Sequence, residues 1–336
     1  SNATTVTITA ADLQNLTEGS VTMTADVSDA AGNAAAQVTS SAFTYDKTAP
    51  TISQVTSTTN DGSYNVPDEI NITVGFSEAV TLSGGNLVVT LDTGGTATIS
   101  SITAASTASA TYTVGSGETS ADLSATGIAL SAGTLTDAAG NAMSVFGGYT
   151  DLADSSALVV DTTVPTISAI GTGALSWGAV LNATEDNSNG TVTVTTSGAE
   201  DGQTVTITLN GATYTNTVSS DATTVTITAA ALQALTDGQS YTLTADVSDA
   251  AGNAAAQVTS SSFAVDKTSP TISAIGTSAF SWGAVLNATE DDNNGTVTVT
   301  TTGVEDGQTV TITLNGATYT NTVSSDATTV TITAAA

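Results

Sequence analysis

The side chains in this sequence with chemistry to offer are almost all carboxylates, and they recur in one pattern. Asp29-Ala-Ala-Gly-Asn33 leads to Asp46-Lys-Thr-Ala-Pro50, Asp137-Ala-Ala-Gly-Asn141 to Asp161-Thr-Thr-Val-Pro165, and Asp249-Ala-Ala-Gly-Asn253 to Asp266-Lys-Thr-Ser-Pro270. Three of the four prolines occupy that one equivalent place. Asp and Asn oxygens gathered by a glycine turn are hard donors, and about six to eight such oxygens are what calcium takes. With no His and no Cys in the chain, zinc and copper are poor fits. The same residues are ordinary turn formers, so a polar hairpin end is the plainer reading of any single copy.

The charge balance points the same way. The chain carries 31 Asp and Glu against two lysines, Lys47 and Lys267, for a formal net charge of −29. Nucleic acid and anionic membranes are excluded as partners, because nothing is present to neutralise phosphate. Self-repulsion of this size opposes a compact state unless cations offset it. Yet 40% of residues are hydrophobic and only 10% charged, which is not the composition of a disordered acidic tail. Without cysteine there is neither a disulfide framework nor thiol chemistry, and no apolar run is long enough for membrane insertion as a helix. Asp92-Thr93-Gly94 spells the aspartic-protease triplet, but that chemistry needs two carboxylates sharing a proton and the triplet occurs once, in a predicted hairpin. Lacking His, Cys and Arg, the chain offers no usual base or oxyanion partner, so a non-enzymatic role is expected. The two lysines sit beside linker aspartates, where ion pairs at a junction are their simplest use.

Positioning these carboxylates falls to a repeated β architecture. Residues 165–231 recur almost unchanged at 270–336, and residues 3–46 recur at 222–266 with Gln239 as the one insertion. The expected division is therefore 1–46, the C-terminal part of a repeat; 47–161, a divergent unit; 162–266, a complete repeat; and 267–336, the N-terminal part of another. Ser1-Asn2-Ala3 reads as a tag-cleavage scar, and the sequence begins and ends in mid-pattern, as an excised piece would. Within the complete repeat, Thr and Val alternate with period two over 191–195, 204–209 and 223–228, which predicts half-buried antiparallel strands. Asn210-Gly211 predicts a tight hairpin. Residues 241–247 predict a further strand opening on a candidate tyrosine corner, Tyr241, and 230–235 a helical turn. Seven or so strands with regular turns predict an all-β fold of tandem immunoglobulin-like β-sandwich domains. In the divergent unit, 70–76, 87–91, 110–114 and 128–130 predict a second sandwich. Trp177, repeated as Trp282, is expected to plug a core or junction; a sugar-stacking platform is the alternative.

The Asp-Ala-Ala-Gly-Asn loops, the Asp-(Lys/Thr)-Thr-x-Pro-Thr-Ile linkers and Trp177-Gly-Ala-Val-Leu-Asn-Ala-Thr-Glu185 resemble the tandem bacterial immunoglobulin-like repeats of giant surface adhesins, including the calcium-dependent extender regions of RTX-type adhesins. The divergent unit, through Asp61-Gly-Ser-Tyr64, Phe76-Ser-Glu78, Leu91-Asp-Thr-Gly-Gly95 and Tyr112-Thr-Val-Gly115, is similar to the repeats of a cyanobacterial swimming-motility surface protein, with Pro67-Asp68 in place of the usual Gly-Asp. The resemblance implies an extended rod on a bacterial cell surface, extracellular, stiffened by calcium, with neighbouring repeats as partners.

In a sandwich of this kind the loops divide between two poles, and tandem domains stack pole to pole. That rule gathers acidic residues at three junctions. Around Asp46 it places Glu18, Glu78, Asp137 and Asn141; around Asp161, Asp68, Glu69, Glu200, Asp201, Asp246, Asp249 and Asn253; around Asp266, Glu185, Asp186, Asp237, Glu305 and Asp306. The expected function is a structural extender, a stalk segment of a large surface adhesin with a role in adhesion and biofilm, with structural calcium as cofactor. A glycan- or protein-binding module is the alternative, opposed by the near-identity of the repeats. The part-repeats 3–46 and 267–336 together carry one whole sandwich, which raises head-to-tail self-association between molecules as one expectation; the equal alternative is that the ends are artefacts of excision and stay partly disordered.

Overall fold

A computed structural model of the chain describes residues 3–334. It divides into two compact units: Ser1–Thr166 with the loops Gly198–Gln203 and Ser248–Ala255, and Ile167–Ser197, Thr204–Val247 and Ala256–Ala336. Each is built mainly of antiparallel strands, as the Thr/Val alternation predicts, with a parallel strand pairing in each unit.

In the first unit the divergent stretch packs two sheets face to face. One is organised on the long strand Glu69–Ser83, flanked by Ala105–Thr113, Thr134–Thr136 and Ile52–Thr56; the other orders Ala125–Leu130, Leu87–Leu91 and Thr96–Ile99. Ile70, Ile72 and Val74 are fully buried while the residues between them are only half so, the period-two signature of a strand with one face in the core. They meet Leu87, Val89 and Leu91 from the facing sheet, with Tyr112 and Leu123 completing the core. Leu158–Val160 closes the sandwich by pairing in parallel with Gly62–Tyr64. Residues 3–46 add a short helix, Ala10–Gln14, started by a Thr9–Asp12 capping box. Two small strand pairs follow it, Gly19–Val21 with Phe43–Tyr45 and Thr24–Ala25 with Val38–Thr39.

In the second unit, Gly190–Ser197 pairs with Thr166–Ile167 and Ala222–Ile227. Opposite it, Thr204–Leu209 lies between Ala212–Thr217 and Leu243–Asp246. Asn210 and Gly211 both adopt positive φ, +48° and +80°, which is the two-residue turn the Asn-Gly pair predicts. The Tyr241 hydroxyl accepts the backbone N–H of Thr236, so the tyrosine corner forms. Trp177 is buried against Phe263 in an edge contact, with ring centroids 5.3 Å apart. The core reading of Trp177 is therefore met, and its ring is not a surface platform. Residues 267–334 repeat the front of this architecture with Gly295–Thr302 on Ala327–Ile332 and Thr309–Leu314 on Ala317–Thr322.

Candidate metal centre

The strand that carries Glu78 also fixes where the first linker runs. Thr51 N–H donates to Ser77 Oγ at 3.0 Å and Ser77 N–H returns a bond to the Thr51 carbonyl at 2.9 Å. Asp46, five residues before Thr51, is thereby delivered beside Glu78. The Asp-Ala-Ala-Gly-Asn loop supplies the third group. Its glycine, Gly140, sits at φ +95°, and the turn lets the Asn141 N–H donate to Asp137 Oδ1 at 2.8 Å while the Asn141 side-chain amide donates to Asp137 Oδ2 at 2.8 Å. The same amide nitrogen reaches the Asp46 carbonyl at 3.2 Å, tying loop to linker. As a result one carboxylate oxygen from each of Asp46, Glu78 and Asp137 falls within 4.8 Å of the others. Among the described residues this is the one group of three acidic side chains so arranged.

Its electrostatics are those of carboxylates held close together. Burial pushes the Glu78 carboxyl above its ordinary range, and the charges of Asp137 and Asp46 push it further. Burial also raises Asp137, but the side-chain and backbone N–H groups of Asn141, with those of Gly140 and Ala139, more than offset it and hold that carboxyl low. Lys47 does not supply the countercharge here as an ion pair; its ammonium lies over the Tyr45 ring, 5.9 Å from the centroid. Three carboxylates, with the carbonyl and amide oxygens of this turn as further hard donors, suit calcium better than a softer metal.

The second linker repeats the scaffold. Asn253 donates to the Asp161 carbonyl at 2.9 Å and to Asp249 Oδ1 and Oδ2 at 2.8 and 2.9 Å, and Asp249 is buried. Glu200, in the loop Gly198–Gln203, accepts the Ala250 N–H at Oε2, 2.8 Å away. Asp68 caps its own turn by accepting the Asn65 N–H, Glu69 opens the strand Glu69–Ser83, and Asp246 accepts both bonds from the Gln257 amide. Asp201 lies in the loop Gly198–Gln203, next to Glu200. Around the third linker the acidic residues are more dispersed. Asp186 is buried and pairs with Lys267 Nζ at 3.2 Å. Asp237 accepts the Lys267 N–H at 2.7 Å and the Thr268 hydroxyl at 2.6 Å, and Glu185 accepts the Asn182 N–H. Asp306 accepts the Ser325 N–H, while Glu305 shares an open cleft with Asp266.

Two features of the linkers escape a reading of charges alone. Each linker aspartate accepts the N–H of the Thr two residues on, at 3.0, 2.8 and 3.1 Å for Thr48, Thr163 and Thr268, which fixes one carboxylate oxygen and leaves the other free to ligate. The spacing Asp-x-Thr, repeated in all three linkers, carries that signal. Glu18 is drawn away from the first carboxylate group, because it accepts the Lys47 N–H and the Thr48 hydroxyl, each at 2.9 Å. It serves the same purpose there as Asp237 does in the later copy.

The profile of the bacterial Ig-like domain family, group 3, matches the chain over residues 6–115 and 127–264. Similar solved structures include a Ca2+-stabilized adhesin that helps an Antarctic bacterium reach out and bind ice, at 27% identity over 94% of this chain and 74% of that one, with a TM-score of 0.39. Another belongs to a 1.5-MDa bacterial ice-binding adhesin and concerns host cell surface retention, at 25% identity over 85% of this chain and 87% of that one, TM-score 0.43. A third is a bacterial immunoglobulin-like domain from the M. primoryensis ice-binding adhesin, at 33% identity over 30% of this chain and 95% of that one, TM-score 0.23. A comparison with curated proteins finds no match.

Proposed function

This chain belongs to the bacterial Ig-like domain family, group 3, and from that premise we propose that it is an extender segment of a bacterial surface adhesin, a non-enzymatic and extracellular stalk piece whose linkers are stiffened by calcium. The observation that carries the reading is the group of Asp46, Glu78 and Asp137, whose oxygens converge within 4.8 Å although each carries a charge that repels the other two. A linker aspartate, a glutamate within the strand Glu69–Ser83 and a loop aspartate come from three separate segments, so a cation bound there ties the linker to the sandwich that follows it. Asp46, Glu78 and Asp137 would hold the ion, with Asn141 offering its side-chain oxygen. Calcium would supply the charge neutralisation that a chain of net charge −29 otherwise lacks. We extend the reading to the second linker, where Asp161, Asp249, Asn253, Glu200 and Asp201 repeat the scaffold, and divide the chain at 46, 161 and 266. Neighbouring repeats of the same protein are its partners.

Calorimetric titration of the metal-free chain with calcium tests this. The expected result is saturable binding, weakened at least about tenfold at one site by Glu78→Gln or Asp137→Asn. Failure of calcium to bind at millimolar levels, or binding that both substitutions leave unchanged, overturns it.

A further inference from the structure

The linker aspartates Asp46 and Asp266 each have a second carboxylate close by that holds the linker from the side of the preceding strands. Pairing of Gly19–Val21 with Phe43–Tyr45 sets Gly19 opposite Tyr45, so Glu18 lies beside Asp46. Its Oε1 accepts the Lys47 N–H at 2.9 Å, and the Thr48 hydroxyl lies 2.9 Å from both of its oxygens. In the complete repeat Asp237 takes the same two donors from the next linker, the Lys267 N–H at 2.7 Å and the Thr268 hydroxyl at 2.6 Å. The two lysine ammonium groups go to different places, one over the Tyr45 ring and the other to Asp186 and the carbonyls of Leu232, Gln233 and Leu235. What the two copies share is the amide of the lysine and the hydroxyl of the threonine.

The two carboxylates reach those donors by different routes. Glu18 and Asp237 are equivalent positions, and Gln239 is the one residue inserted between Asp237 and its linker. A longer side chain without the extra residue and a shorter one with it arrive at the same pair of bonds. Both copies therefore keep the geometry of the tie, although neither the side chain nor the backbone length is the same. At the second linker, where Thr162 stands in place of the lysine, backbone carbonyls make the tie instead: Tyr64 accepts the Asp161 N–H at 3.0 Å and Glu118 accepts the Thr162 hydroxyl at 3.1 Å.

We propose that Glu18 is a positioning residue for the cation of the Asp46, Glu78 and Asp137 group. It is not one of the three converging side chains. By holding the Lys47 N–H and the Thr48 hydroxyl it fixes the turn in which the Thr48 N–H donates to Asp46 Oδ1 at 3.0 Å, and that turn presents the other Asp46 oxygen to the ion. The Asn141 amide, 3.2 Å from the Asp46 carbonyl, holds the same residue from the sandwich that follows. Asp46 is thereby gripped from both sides before an ion arrives, which reduces the ordering that binding has to supply. The inference rests on the calcium reading of that group and names a residue outside it through which the site is built.

Calcium calorimetry and hydrogen exchange on the full chain test the proposal. Glu18→Ala should weaken calcium at one site roughly tenfold or more and leave melting in chelator close to that of the unsubstituted chain, whereas a merely structural role would lower both. Glu18→Asp keeps the charge but shortens the reach, so it should weaken binding too. Glu18→Asp with a glutamine inserted after Gly19, which rebuilds the later copy, should restore it. In chelator the Lys47 amide should exchange slowly in the unsubstituted chain and fast in Glu18→Ala. The role of Glu18 alone is overturned if the unsubstituted chain binds calcium and Glu18→Ala binds it equally well, if Glu18→Asp binds as tightly without the insertion as with it, or if the Lys47 amide exchanges freely before any substitution. An unsubstituted chain that takes up no calcium overturns the calcium reading itself, and this inference with it.

Discussion

Replacing Lys267 by Met should destabilise the sandwich of residues 162–266 far more than a surface lysine would. The Nζ group donates its three hydrogen bonds to the carbonyls of Leu232, Gln233 and Leu235 at 3.1, 2.9 and 2.9 Å and forms an ion pair with Asp186 at 3.2 Å. Those carbonyls lie at and just beyond the C-terminal end of the helix Ala229–Gln233, where backbone donors are scarce, although Leu232 also accepts the Leu235 N–H. The lysine side chain is 18% exposed and that of Asp186 8%. Breaking a fully buried pair costs about 3–5 kcal/mol, an exposed one about 0–1. This pair sits nearer the buried limit, and water replaces the lysine only partly at the helix end. About 2–4 kcal/mol is therefore expected, or on the order of 1–2 M in urea midpoint. A Trp282→Phe background leaves Trp177 as the sole tryptophan, and its fluorescence then reports this sandwich alone. Asp186→Asn added to Lys267→Met should recover part of the loss, because the uncompensated charge is gone. If Lys267→Met moves the midpoint by less than about 0.5 kcal/mol, or the second substitution recovers nothing, the pair is a surface contact and the reasoning fails.

Trp177→Leu should cost about 2–4 kcal/mol in urea unfolding, because the indole fills the space against Phe263 and Gly190, where a Cβ on Gly190 would meet the ring at 2.5 Å. Burial first, then the hydrogen bond it donates to Glu118 at 2.6 Å and the nearby negative charge, push the Tyr112 hydroxyl up to about 12. A phenol raised in the folded state keeps its full stabilisation below pH 10 and loses it as the pH rises towards 12, so an alkaline fall in melting temperature is expected, and Tyr112→Phe should lessen it. For Glu78 the carboxyl is raised above 4.5, so in the metal-free chain acidification through that region relieves repulsion and adds stability, while in calcium it expels the ion. Glu78→Gln should remove both effects, read as pH-dependent melting with and without calcium.

Most of the strand framework was legible in the sequence because Thr and Val alternate so regularly that only a half-buried antiparallel strand satisfies them. The Asn210-Gly211 turn and the Tyr241 corner were legible for the same local reason: each residue type has few conformations or partners open to it. The carboxylates were harder. Asp46, Glu78 and Asp137 were placed together by the loop rule, and their oxygens do converge. The same rule also offered Asp237, Asp246 and Asp306, which accept N–H bonds from Lys267, Gln257 and Ser325 and belong to no group of three converging carboxylates among the described residues. Composition cannot separate these cases, since a carboxylate accepting a backbone N–H and one facing a cation look alike in one dimension. The long-range partner decides: Asn141 finding the Asp46 carbonyl across 95 residues is invisible to spacing. The linker Asp-x-Thr turn, by contrast, is local and was there to be read.

The central claim is that calcium stiffens the linkers, and small-angle scattering of the full chain in calcium and then in excess chelator tests it most directly, with a melt run in parallel on dilute protein to keep self-association apart. The account predicts a narrower distribution of maximum dimensions in calcium, broadening on chelation as the like charges around Asp46 lose their countercharge, together with a lower melting temperature. Identical scattering and identical melting in the two conditions would contradict it, and would leave the acidic loops as ordinary turns.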